Sequence, residues 1–121
     1  MTEAQIQTAL VGYCRAVLPH GMVFAVPNGS RRTAGGRASN GVAGLTKGVS
    51  DLVVLAPGKI IFAEVKNAKG VVSPEQREFG QSVQTLGHHF AIWRGIEDAR
   101  NTFAALGVKT REVINPVGES A

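Results

Sequence analysis

The chain has 121 residues, with 13 Lys+Arg against 9 Asp+Glu and a net charge of +4. That length suits one domain and argues against two, and an apolar share of 44% is enough for a core, which excludes wholesale disorder. No apolar run approaches the roughly 20 residues of a membrane span, the opening Met-Thr-Glu-Ala-Gln has neither region of a secretory signal, and a single cysteine, Cys14, excludes an intrachain disulfide and every multi-cysteine zinc motif. The expectation is a small, soluble, intracellular protein.

The charge is unevenly placed. Between Glu3 and Asp51 there is no acidic residue, while Arg15, Arg31, Arg32, Arg37 and Lys47 fall in that stretch. A one-signed segment favours an anionic partner, nucleic acid first. A solvated basic loop without a partner would look the same by charge alone.

Thr2 to Leu18 is predicted as a helix, with Ile6, Leu10, Tyr13 and Val17 forming one apolar stripe. Thr2 and Gln5 fit a capping box, and Pro19 stops the helix. Met22 to Val26 reads as a short strand. Asn28 to Gly48 holds Gly29, Gly35, Gly36, Gly41, Gly44 and Gly48 and almost no large apolar side chain. So long a connection is uncommon unless functional or disordered, and mobility without a ligand is expected.

Ser50 to Ala56 and Lys59 to Lys66 are predicted strands joined by a Pro57-Gly58 turn. Both faces of each are largely apolar, which points to a sheet covered by helices. Ser73, Pro74 and Gln76 open the next helix as N-cap, N1 residue and capping-box partner. Its stripe is Phe79, Val83 and Leu86, and Gly87 follows as a helix terminator. His88 to Trp93 is predicted as a strand and Ile96 to Leu106 as a last helix, with Ile96, Ala99, Phe103 and Leu106 on one face. Val108 to Ala121 has little pattern and reads as a loose tail or an edge strand. The fold class is therefore α/β, a mixed sheet with helices packed on it.

The hairpin carries the chemistry. A two-residue turn at Pro57-Gly58, or a four-residue loop from Ala56 to Lys59, places Asp51 directly opposite Glu64; an odd-length loop would break that register. Opposed side chains have Cβ atoms about 5 Å apart and share a face, and Lys66, two residues beyond Glu64, joins them. An isolated Glu-x-Lys pair in a strand is ordinarily a surface ion pair. These strands are too apolar to lie on the surface. Two carboxylates opposed in an apolar sheet repel unless one is protonated or a cation lies between them. A hard divalent ion such as Mg²⁺ suits oxygen ligands with positions left for water and phosphate. Lys66 is placed to orient or deprotonate water and to offset negative charge. Gln76 is a helix cap that also heads the Phe79–Val83 stripe, so it can approach the same face. Glu3 lies on the first helix's stripe, but an acid in a first turn is also favoured by the helix dipole.

Gly48-Val-Ser-Asp51, Glu64-Val-Lys66, Val72-Ser-Pro-Glu-Gln76 and Leu86-Gly87 before a final strand together resemble the VRR-NUC family, the virus-type replication and repair branch of the PD-(D/E)xK nuclease superfamily, over roughly residues 3 to 106. The resemblance implies a restriction-endonuclease-like three-layer core. It implies an Mg²⁺- or Mn²⁺-dependent endonuclease acting on DNA phosphodiesters, with branched DNA such as Holliday junctions as a candidate substrate. It also implies a standalone phage or bacterial protein in the cytoplasm of a bacterial cell or phage-infected host, and a homodimer. By position, Asp51 and Glu64 match the metal-binding acids, Lys66 the motif lysine, Gln76 the glutamine of the following helix and Glu3 an acid of the first helix. The Val65 carbonyl is the implied further metal ligand. The family usually has Pro before the aspartate; here Ser50 stands there. Proline supplies no ligand atom, so the metal set is unaffected. Residues 1–107 would be the nuclease domain, 27–49 its flexible basic loop and 108–121 a tail. Arg31, Arg32, Arg37 and Lys47 are expected to contact phosphates, which positions DNA without reading sequence.

His20, His88 and His89 have no metal-binding spacing. Trp93 and Tyr13 read as packing residues and Cys14 as an inert buried thiol. The loop glycines lack the phosphate-binding pattern of a nucleotide-triphosphate site. The competing function is a DNA-binding module that keeps the nuclease fold without catalysis. A small-molecule enzyme has no positive support.

Overall fold

The computed structural model describes residues 1–27 and 43–112. Arg31, Arg32, Arg37 and most of the glycine-rich stretch lie outside the described residues, as does the tail from 113. Among the described residues three helices and four strands follow in the order α1 (Glu3–Val17), β1 (Met22–Ala25), β2 (Leu52–Ala56), β3 (Lys59–Val65), α2 (Pro74–Thr85), β4 (His89–Trp93) and α3 (Ile96–Leu106).

The helix ends follow local chemistry. Thr2 and Gln5 form the expected capping box on α1, and Ser73 and Gln76 form the one on α2 with Pro74 at its start. These boxes satisfy N–H groups that have no partner inside the helix. Gly87 takes φ +89 after α2, where a side chain would be strained.

Spatial strand order equals chain order, β1-β2-β3-β4. β1–β2 and β2–β3 are antiparallel, and β3–β4 is parallel, with α2 as the connection. The sheet is therefore mixed. Across the hairpin Leu52 pairs with Ala63 and Ala56 with Lys59, the register a Pro57-Gly58 turn demands. Gly58 supplies the left-handed residue at φ +73.

Strand alternation sorts the faces. Leu52, Val54, Ile61, Ala63, Val65 and Trp93 point into one core with Ile6, Leu10, Cys14 and Val17 of α1 and Ala99 and Phe103 of α3. Phe62 and Phe90 point the other way and meet Phe79 of α2 edge-on, at 5.6 and 6.4 Å between ring centroids. Gly80 brings α2 close to β4: a Cβ there would lie 2.6 Å from the Phe90 ring. Helices on both faces explain why these strands are apolar on both sides.

Some details differ from the sequence reading. β2 and β3 stop at Leu52 and Val65, so Asp51 stands one residue beyond the ladder, and β4 starts at His89. In α1 the side chain completing the buried stripe is Cys14, not Tyr13. Both lie near the apolar face at helical spacing, and the smaller residue fits the close approach to the sheet. Burial pushes the Cys14 thiol up to about 12, which makes it unreactive. Tyr13 packs at the rim, stacked on Phe103, with Arg100 over its ring and its hydroxyl donating to Glu112. Leu86 is exposed because α2 has already ended there. Residues 108–112 form no strand. They are held against the core by the Arg111 N–H to the Val17 carbonyl and by Glu112 paired with Arg100. No helix among the described residues is long and apolar enough to cross a membrane.

Candidate active site

The face that α2 covers also carries three polar groups at one end of the sheet. Glu64 is 2% exposed, on the penultimate residue of β3. Asp51 stands just before β2, at the end of the same ladder, and its Oδ2 accepts the Val65 N–H at 2.8 Å. The carboxylate thus takes the place of the next backbone partner, which keeps it against β3. Ser50, at the position where the family usually has proline, is fully buried and donates its hydroxyl to the Leu52 carbonyl at 3.2 Å.

Glu64 has two unlike oxygens. Oε2 accepts from Gln76 Nε2 at 2.6 Å and faces the Lys66 ammonium at 3.7 Å. Oε1 is buried and has no hydrogen-bond partner. Burial and then the nearby Asp51 charge push the Glu64 carboxyl up to about 8, against a smaller opposing pull from Lys66. Of the contributions raising it, Glu3 makes the smallest.

Gln76 performs both roles the sequence left open. Its Oε1 accepts from the Ser73 N–H at 2.8 Å and its Nε2 donates to Glu64. The capping box therefore orients the amide so that its donor end points at the carboxylate. Glu3 lies exposed at the start of α1, with its carboxylate beside Gly70 and the Lys66 stem. It does not complete a three-carboxylate cluster: among the described residues no three His, Cys, Asp or Glu side chains come together as a metal site. Lys47 is exposed in the turn before Gly48. His20 and His88 are exposed, and His89 is half-buried.

A cation bound here would take its ligands from Asp51, Glu64 and the backbone. The Lys66 N–H donates to the Trp93 carbonyl on β4. In a trans peptide the preceding carbonyl points the opposite way, so Val65 C=O is directed away from β4, to the side where Asp51 sits. Two opposed carboxylates, one of them with an orphaned buried oxygen, and a carbonyl on the same side are an all-oxygen set suited to a hard divalent ion.

Two further residues support the site. Gly48, at φ +80, lies against the first turn of α2, where a Cβ would stand 2.3 Å from the Glu75 carbonyl oxygen. It heads the Gly48-Val-Ser-Asp51 motif, but nothing near it in the chain shows that it must seat α2. Gly48→Ala is expected to cost about 2–4 kcal/mol and to displace the α2 start with Gln76. Denaturant unfolding and the loss of the Gln76 side-chain amide shift in NMR would check it. The other is Arg94, whose guanidinium holds the turn after Lys66.

A mixed four-stranded sheet between helical layers, with an acid pair and lysine at one end, is a restriction-endonuclease-like α/β fold. Comparison with solved structures is in keeping with this: the chain is similar to a protein described as "VRR_NUC domain protein", with 17% identity, a TM-score of 0.54 and 86% of each chain covered. The fold is that of a VRR_NUC domain. No family model and no curated protein matches the chain.

Proposed function

We propose that this chain is a divalent-metal-dependent DNA endonuclease of the VRR-NUC type that hydrolyses phosphodiester bonds. The observation that carries the reading is Glu64: a buried carboxylate beside a second one, with one oxygen fixed by Gln76 and Lys66 and the other orphaned. A buried polar atom without a partner is costly, and functional sites are where such costs are kept.

In this reading Asp51, Glu64 and the Val65 carbonyl hold Mg²⁺ or Mn²⁺. When bound, the cation acidifies water and offsets charge on the scissile phosphate. Lys66 orients the attacking water and stabilises the charge that builds on the phosphate oxygens. Gln76 fixes the Glu64 carboxylate by its 2.6 Å hydrogen bond, so the free oxygen keeps one direction. Glu3 adds negative charge beside the Lys66 stem.

Residues 1–107 form the nuclease domain in this proposal, with 27–49 as a DNA-contacting segment. Arg31, Arg32, Arg37 and Lys47 bind phosphates. A homodimer would present two such sites to branched DNA, as in phage or repair processing. Incubation with branched, nicked and linear DNA, with and without Mg²⁺, tests the activity. Metal-dependent cleavage is the expected result. Tight, salt-sensitive binding with no cleavage of any substrate would favour the non-catalytic module instead.

Arg31→Ala/Arg32→Ala is expected to weaken binding across all sequences and to flatten the salt dependence by about one unit of log–log slope per lost contact. Fluorescence anisotropy between low and moderate salt measures it. Unchanged affinity would remove the segment from the DNA interface.

A further inference from the structure

β3 ends at Val65, and the next residue carries the ammonium of the site. The Lys66 N–H is still bonded to the Trp93 carbonyl of β4, and beyond it the chain closes into a short turn with an unusual fastening. The Gly70 N–H donates to the Asn67 carbonyl at 3.1 Å, and the Lys69 N–H donates to Asn67 Oδ1 at 3.1 Å. Across from it, at the end of β4, one guanidinium nitrogen of Arg94 donates to both ends of that turn, to the Asn67 carbonyl at 2.7 Å and the Gly70 carbonyl at 2.9 Å. Arg94 is itself tethered, because its backbone N–H donates to Asp98 Oδ2 in the first turn of α3 at 2.8 Å.

The turn matters through Gly70. A Cβ there would stand 3.0 Å from Glu3 Oε2, 3.1 Å from Lys66 Cδ and 3.2 Å from Asn67 Oδ1. The backbone at Gly70 is thus the wall against which the Lys66 stem and the Glu3 carboxylate lie. Opening the turn would take away the surface on which both rest.

We infer that Arg94 is a positioning residue: it closes the 67–70 turn and so sets where the Lys66 ammonium stands relative to Glu64. An exposed arginine beside a nucleic-acid site would ordinarily be assigned to a phosphate. Here a donor of its fork is already directed at two backbone carbonyls, and a rigid planar fork serves that purpose better than a flexible ammonium. The inference rests on the nuclease reading for its catalytic consequence but not for its structural one.

The test compares wild type, Arg94→Ala and Arg94→Lys in three measurements. These are amide hydrogen exchange at Gly70, the rate of reductive methylation at Lys66, and kcat and KM for Mg²⁺-dependent DNA cleavage. In Arg94→Ala, Gly70 exchange is expected to rise about tenfold or more, since its hydrogen bond to Asn67 loses its clamp. Lys66 methylation should quicken several-fold, and kcat should fall about ten- to a hundredfold with KM little changed, as expected for a misplaced catalytic group. Arg94→Lys keeps a donor near both carbonyls and should recover part of each effect. Unchanged Gly70 exchange and unchanged Lys66 methylation would overturn the inference. A raised KM with exchange unaltered would overturn it in favour of a phosphate contact. If wild type cleaves no DNA, the nuclease reading fails, while exchange and methylation still decide the role of Arg94.

Discussion

Asp51→Asn and Glu64→Gln should each reduce Mg²⁺-dependent DNA cleavage on the order of a thousandfold or more while leaving the protein folded. Both variants keep the size and most of the hydrogen bonding of the original side chain. In Asp51→Asn the amide oxygen still accepts the Val65 N–H, and in Glu64→Gln the amide oxygen still accepts from Gln76 Nε2, so each removes charge with little change of shape. The double variant should be no worse than the more damaged single one, since residues serving one ion act as a unit. Lys66→Met is expected to fall in the same range through kcat, with DNA binding largely retained. Equal cleavage by wild type and Asp51→Asn, with circular dichroism unchanged, would remove the acid pair from catalysis and with it the proposed function.

The second large effect is a dependence of stability on pH that divalent cations reverse. Burial and the neighbouring Asp51 raise the Glu64 carboxyl to about 8 in the folded chain, against an ordinary value of 4.5. Between those values the folded state holds a proton that the unfolded state has released. Stability therefore falls as pH rises through this window. The contribution is fully present below about 4.5 and lost above about 8. In metal-free buffer the Tm of wild type should drop across that range relative to Glu64→Gln, whose neutral amide does not titrate. At pH 8.5 the variant should be the more stable by a few kcal/mol, or about 5–15 °C. Added Mg²⁺ or Mn²⁺ binds the ionised pair and should raise the wild-type Tm most at the alkaline end, with little effect on Glu64→Gln. Other carboxylates titrate too, so the wild-type-minus-variant difference is the quantity to read. Parallel Tm profiles for the two proteins, with or without metal, would show that Glu64 is not held protonated.

Both effects come from the Asp51–Glu64 pair, whose place is legible in the sequence for a particular reason. A two-residue Pro57-Gly58 turn leaves little choice of register, and register decides which side chains share a face. The ladder seen from Leu52–Ala63 to Ala56–Lys59 is the one that puts Asp51 and Glu64 together. Helix starts were legible for a similar reason, because Thr2 with Gln5 and Ser73 with Gln76 act within one turn of chain. The buried partner of Leu10 was not. Tyr13 and Cys14 both suit the helical period, and only the closeness of sheet to helix selects the smaller.

The amino-acid sequence by itself determined the order of helices and strands, the hairpin register and the identity of the acids and lysine at its open end, because each follows from contacts between residues near in the chain. The tertiary structure alone decided how those groups are held. Gln76 turns its amide on Glu64, Gly48 seats the start of α2, and Arg94 clasps the turn behind Lys66 from 24 and 27 residues away. Such contacts leave no periodic trace, since they depend on strands and helices meeting in space.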